Sequence, residues 1–238
     1  MDLLNNFDTA VLVNVAYIAA SILFIVGLKM LGSPDTARRG NLLSSTGMLL
    51  AVLVTLADQS IIDFTWILVG LISGGVTGYL AATRVQMTSM PEMVAIFNGF
   101  GGIASLLVGS AEFVRGSDYL FPIFLTVLIG GLTFTGSLVA YGKLSEILGG
   151  RPTLYKGQQI VNSILLLLIA ATGIEMIFLQ QIFTASETLL ILCGLAMVLG
   201  ILFVIPIGGA DMPVVIALLN SFSGLAACAA GFVIENNV

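Results

Sequence analysis

Long apolar runs of roughly 16–24 residues alternate along the chain with short breaks of Gly, Pro, Asp, Lys and Arg. They fall at about 11–30, 42–57, 65–83, 92–111, 119–142, 159–180, 187–206 and 212–234. A helix needs about 20 mainly apolar residues to cross about 30 Å of hydrocarbon. The pattern predicts an all-α fold: a polytopic membrane bundle of about eight transmembrane helices, forming one domain over 1–238. The connections are short, so sequential helices must run antiparallel and the loops must alternate sides.

Composition agrees with this pattern. Of the 238 residues 58% are hydrophobic and 9% charged, against about 25% charged in a soluble domain. The net charge of −5 comes from few groups, most of them in loops. No basic patch points to nucleic acid. The start, MDLLNNFD, lacks the positive region of a secretory signal, so the first apolar segment is expected to be retained as a span. The chain has no His and two Cys, Cys193 and Cys228, both inside apolar runs. Neither a disulfide nor a zinc or copper ligand set is indicated, and no metal site is expected. Hydrolytic chemistry has no evident base without histidine, and no catalytic residue is assigned.

Positive charge orients the bundle. Lys29, Arg38 and Arg39 follow the first span, Arg84 the third, and Lys143, Arg151 and Lys156 the fifth; Arg115 alone falls on the other side. By the positive-inside rule, the N-terminus is expected outside and the first, third, fifth and seventh loops in the cytoplasm, with Val238 outside.

Two segments 122 residues apart, MPEMVAIFNGFGGIAS at 90–105 and MPVVIALLNSFSGLAA at 212–227, share the skeleton M-P-x-x-x-A-x-x-N-x-F-x-G-x-A. Pro91 matches Pro213, Asn98 matches Asn220, Phe100 matches Phe222 and Gly102 matches Gly224. The offset covers an even number of helices, which suggests a 4+4 parallel repeat with halves at about 1–111 and 119–238. Pro is favoured at the first helical position, but that leaves the matching Asn, Phe and Gly unexplained. Each Asn lies seven residues past its proline, about 10 Å into its helix. An amide at that depth faces the bundle interior or a wet cavity, serving either as interhelical glue or as part of a shared polar pathway.

Other polar positions keep two readings each. Asp211 and Glu92 stand at the starts of the eighth and fourth spans, where the helix dipole alone favours carboxylates; the sharper reading is proton entry. Glu175, near the outer end of the sixth span, either reaches the headgroups, the favoured reading, or joins a relay. Thr133, Thr135, Ser137 and Tyr141 in the fifth span either line a water-filled route or bond back to their own helix. Asn162 is a further cavity candidate. Gly70, Gly74 and Gly78, with Gly130, Gly131, Gly136 and Gly142, suit close helix contact, or room for water or a hinge. The Gly-rich stretches at 98–105 and 206–213 neither follow a strand nor open a βαβ unit, so nucleotide binding by this chain is not expected.

The segments RVQMTSMPEMVAIFNGFGG (84–102), GGLTFTGSLVAYGKL (130–144) and IGGADMPVVIALLNSFSGLAACAAGF (207–232) resemble the membrane part of the β subunit of proton-translocating NAD(P) transhydrogenase, and the similarity covers essentially the whole chain. The resemblance implies a membrane subunit of a complex that couples hydride transfer between NAD(H) and NADP(H) to proton movement. No cofactor is expected on this chain, because other domains of the complex bind the nucleotides. The implied partners are an α subunit, with an NAD-binding domain and a membrane segment, the NADP-binding domain of the β subunit, and the lipid bilayer. A dimer of protomers is implied too.

Two departures stand out. The family continues into a further span and an NADP-binding domain, which do not appear here. At Asn98 many members carry a relay histidine, so the resemblance implies that the histidine sits on the α-side membrane segment. The resemblance supports Asp211 and Asn220 as proton-path residues, and carries over Ser137 and Glu92. The short stretch before the first span suits a separately encoded bacterial subunit in the inner (plasma) membrane. Two other functions compete: a secondary transporter with a solute or cation site at the repeat interface, and a structural anchor.

Overall fold

The computed structural model describes residues 2–57, 64–180 and 182–236, with side chains from residue 11 onward. The expected outside position of Val238 therefore lies outside the described residues. Among them are eight α-helices: α1 (Asp2–Leu31), α2 (Pro34–Ala57), α3 (Thr65–Arg84), α4 (Met90–Val114), α5 (Leu120–Leu144), α6 (Gln158–Ile174), α7 (Ala185–Val204) and α8 (Met212–Val233). All eight belong to segments long and apolar enough to cross a membrane. Many large apolar side chains, among them Leu12, Ile25, Leu71, Leu167 and Leu190, lie on the outside, as a lipid-facing surface requires.

Two helices depart from the apolar runs for local reasons. Helix α2 starts at Pro34, well before the run at 42. Proline suits the first helical position, and Asp35 in the first turn suits the positive end of the dipole. The sixth run, expected to be helical to 180, leaves the α-helix at Ile174 for a π-helical turn at Glu175–Leu179. It stops at Gln180, in the left-handed region with φ 50°.

The chain divides into two compact units, Met1–Gly78 and Tyr79–Asn237. In the first, α1 and α2 form an antiparallel hairpin around small residues. A Cβ on Gly40 would lie 2.7 Å from the Gly27 carbonyl, and one on Gly47 would lie 3.0 Å from the Ala20 carbonyl. Tyr17 Oη and Thr55 Oγ1 are 2.8 Å apart towards the open end. Helix α3 buries none of its residues, and Gly70, Gly74 and Gly78 face nothing within 4 Å. The packing expected of that glycine stripe is therefore absent among the described residues.

In the second unit α5 is the central helix, packed against α4, α7 and α8. Its small residues allow this. A Cβ on Gly130 would lie 2.7 Å from the Gly102 carbonyl, one on Gly131 would lie 2.9 Å from Ala196 Cβ, and one on Gly136 would lie 3.3 Å from Leu219. The core forms two apolar layers. One joins Ala95, Val139, Ala140, Val204, Met212, Val215, Ile216 and Leu219. The other joins Leu106, Ile123, Val127, Met176, Leu189, Leu192 and Val233. Along α4, α5 and α8 alike, a short polar stretch separates the two layers.

Candidate functional site

That polar stretch holds three side chains from three helices. Asn98 on α4 is 7% exposed, and its Nδ2 donates to Ser137 Oγ on α5 at 3.0 Å. Ser223 on α8 donates to Asn98 Oδ1 at 2.7 Å, with a longer contact to the Asn98 backbone carbonyl at 3.4 Å. Local sequence makes the meeting possible. Gly99, next to Asn98, lets α5 approach until an added Cβ would lie 3.3 Å from Ser137 Cβ. At Gly102, one turn on, a Cβ would lie 2.8 Å from both the Gly130 carbonyl and the Phe134 amide. With no bulk at these positions, the amide and the hydroxyl meet directly.

The amide works as a bridge because it accepts at one end and donates at the other, so the hydroxyl of Ser223 is linked through Asn98 to Ser137. Such a chain of bonds in a low-dielectric interior is mutually polarising. None of the three side chains ionises near neutral pH. The cluster can therefore order water or a neighbouring titratable group, but it cannot itself hold a proton.

The other expected site residues are not brought into this cluster. Asn220, expected to face the bundle interior or a wet cavity, lies on the exposed face of α8. Met212, Val215, Ile216 and Leu219 define the buried face of α8, and Asn220 follows Leu219 by one residue, about 100° round the helix. The matched segments thus present the same residues to different surroundings. Ala95, Asn98 and Gly102 are buried in α4, while Ala217, Asn220 and Gly224 are exposed in α8.

The two segments nonetheless enter their helices by the same backbone path. Each Met-Pro follows a 3-10 turn, Met87–Ser89 or Gly209–Asp211, and the N-caps Ser89 (φ −95°, ψ 8°) and Asp211 (φ −93°, ψ −2°) nearly coincide. Asp211 caps α8 without a side-chain hydrogen bond and is exposed; Glu92 is partly buried in the first turn of α4. Both therefore sit at positive helix ends, away from Asn98.

Glu175 is turned inward and not towards the headgroups, at 3% exposure. Its Oε1 accepts from the amides of Ile182 at 2.8 Å and Phe183 at 3.3 Å. The π-helical turn aims the carboxylate at the returning chain, which explains the inward position. Thr135 bonds back to Gly131 O at 3.1 Å and across to Met197 O at 2.7 Å. Thr133 Oγ1 and Asn162 Oδ1 are buried without a hydrogen-bond partner. Tyr141 packs beside the first apolar layer.

Two residues with evident roles had no signal in the sequence reading. Ser223 is one of two serines just after Asn220. Lys143 was counted only as a loop charge, but it is 2% exposed, and its ammonium donates to backbone carbonyls.

Gly99 and Gly102 are taken up by contact with α5, and the segment lies within a membrane-crossing helix.

Comparison with known proteins gives a consistent result. Residues 13–238 match the model of the family described as NAD(P) transhydrogenase beta subunit. Two similar relatives, both NAD(P) transhydrogenase subunit beta of Rhodospirillum rubrum, one from a named strain, are each 37% identical over 93% of this chain and 49% of their own length. The chain thus spans about half the length of the curated relatives it matches.

Proposed function

Since the chain belongs to the NAD(P) transhydrogenase beta subunit family, we propose that it forms part of a transmembrane proton path coupled to hydride transfer between NAD(H) and NADP(H). The observation that carries this reading is the Asn98–Ser137–Ser223 cluster, held between two apolar layers at the junction of α4, α5 and α8. Polar groups deep in a membrane bundle are costly and are retained where they serve a pathway. The cluster orients water or a titratable group supplied by a partner helix. The family match leaves the transporter reading without an observation in its favour.

In this reading the hydride chemistry belongs to nucleotide domains elsewhere in the complex, and this chain binds neither NAD(H) nor NADP(H). An α-side membrane segment supplies the relay histidine that Asn98 replaces. The exposed Asn220 meets that or another neighbouring helix, and Asp211 and Glu92 lie at the proton entry. The protein resides in a bacterial inner membrane with its N-terminus outside, in a complex of two protomers, and its helices form a 4+4 repeat.

The test reconstitutes the complete complex in liposomes with Asn98→Leu and, separately, Asn220→Leu. Proton pumping is recorded beside hydride transfer, with cyclic transhydrogenation, which needs no proton passage, as the control. Asn98→Leu is expected to lower pumping and the coupled reaction together by tenfold or more while cyclic activity survives. Full pumping in both variants would place the path on the partner's helices.

A further inference from the structure

Lys143 lies in the last turn of α5, six residues beyond Ser137, and is 2% exposed. No carboxylate pairs with it among the described residues. Its Nζ instead donates to the carbonyls of Ile205 and Ile207, each at 2.5 Å, and more weakly to Arg151 O at 3.4 Å. An ammonium has three donors in a tripod, and three carbonyls receive them here. Ile205 is the C-cap of α7, so the cation stands at the negative end of that helix dipole, where unsatisfied carbonyls gather. A buried ammonium is costly without such compensation.

The two carbonyls Lys143 holds at 2.5 Å belong to one short connector. It runs from Ile205 through Ile207 and the 3-10 turn Gly209–Asp211 into Met212, the first residue of α8. Further bonds tie the same connector to the segment after α5: Thr153 N donates to Ile205 O at 3.2 Å, and Gly209 N to Gly150 O at 2.9 Å. Three elements therefore meet on one side chain. The helix that bears Lys143 also bears Ser137, and the helix the connector leads into bears Ser223. The two hydroxyls bracket Asn98.

We propose that Lys143 is a positioning residue for proton coupling: it latches the 205–211 connector to the end of α5 and so fixes Asp211 and the register of α8, on which the Asn98–Ser137–Ser223 cluster depends. The inference rests on the proton-path reading above. Lys143 acts through the connector and touches no substrate. A side chain without donors at 143 leaves the Ile207 carbonyl without its lysine donor and the Ile205 carbonyl with Thr153 N alone, which loosens the connector and lets α8 shift against α5.

The experiment uses the complete complex in liposomes with Lys143→Met, Lys143→Gln and Lys143→Arg. Coupled and cyclic transhydrogenation are recorded in the same preparations, with amide hydrogen exchange over 205–215. Lys143→Met is expected to lower the coupled-to-cyclic ratio by tenfold or more and to speed exchange across the connector, whereas Lys143→Arg keeps the ratio within about threefold. Should the Met variant fail to assemble, Gln, which retains two donors, decides between the outcomes through an intermediate ratio and intermediate exchange. A ratio unchanged in Gln or Met overturns the proposal, as does a fall in coupled and cyclic rates in equal proportion, which marks general destabilisation. Asn98→Leu run alongside separates the two failures. If it uncouples and Lys143 variants do not, the latch fails alone; if neither uncouples, the proton-path reading fails.

Discussion

Asn98 is held by one donor and one acceptor from different helices, so each bond can be removed separately. Ser223→Ala deletes the 2.7 Å bond and leaves Asn98 Oδ1 buried without it, a loss expected to cost about 1–3 kcal/mol. The neighbouring Ser221 is exposed and bonds only to its own helix, at Ala217 O. Ser221→Ala should stay within about 0.5 kcal/mol. Thermal unfolding of the purified complex gives the stability difference, and the coupled rate should fall severalfold for Ser223→Ala alone. Equal behaviour of the two serine variants would remove Ser223 from the cluster. The sequence made Asn98 legible, as a repeated amide at that depth, whereas Ser137 stood among Thr133, Thr135 and Tyr141 and was set apart only by the family resemblance. Ser223 was not legible, because the repeat pointed to Asn220: matched residues carry matched chemistry, but which face of a helix is covered depends on its neighbours.

At the scale of elements, eight helices were readable from apolar length alone, because each had to supply its own backbone bonds in lipid. Which glycines make contacts was not readable, since the stripes in α3 and α5 look alike in sequence. In the structure Gly130, Gly131 and Gly136 of α5 meet α4, α7 and α8, while those of α3 meet nothing within 4 Å. The difference predicts opposite responses to one methyl group. Gly102→Ala would place a Cβ 2.8 Å from two backbone atoms of α5, so the helices must separate, at an expected cost of about 1–3 kcal/mol. Gly74→Ala adds a methyl in open space and gains helix propensity of up to about 1 kcal/mol. Unfolding temperatures of the two variants should move in opposite directions. A fall for Gly74→Ala would show that a partner helix covers α3 in the complex. The π-helical turn and the buried Lys143 were equally hidden, because both arise from where the chain returns and not from local pattern.

Over the molecule, the cluster sits between two apolar layers, and the one towards the end that bears Lys143 is built on Ala95, Val139, Ala140, Val204, Met212, Val215, Ile216 and Leu219. Packed apolar side chains leave little room for water, so in the proton-path reading proposed above this layer is the closure on that side. Leu219 is its most informative member. It is fully buried, faces Gly136 of α5, and lies one turn before Ser223 on α8. Leu219→Ala removes its bulk without adding charge and should cost about 2–5 kcal/mol, less if the neighbours collapse into the gap. If this layer is the plug, the cavity thins it and passive proton leak through the reconstituted complex, without nucleotides, rises severalfold over the parent. Leu166→Ala, at a 54% exposed position, should leave leak at the parent level. Equal leak in all three would move the closure to the other layer or to a partner helix. A rise confined to Leu219→Ala would tie the plug to α8, the helix that carries Ser223 of the cluster and follows the connector Lys143 holds, so that a small shift of its first turn changes all three together.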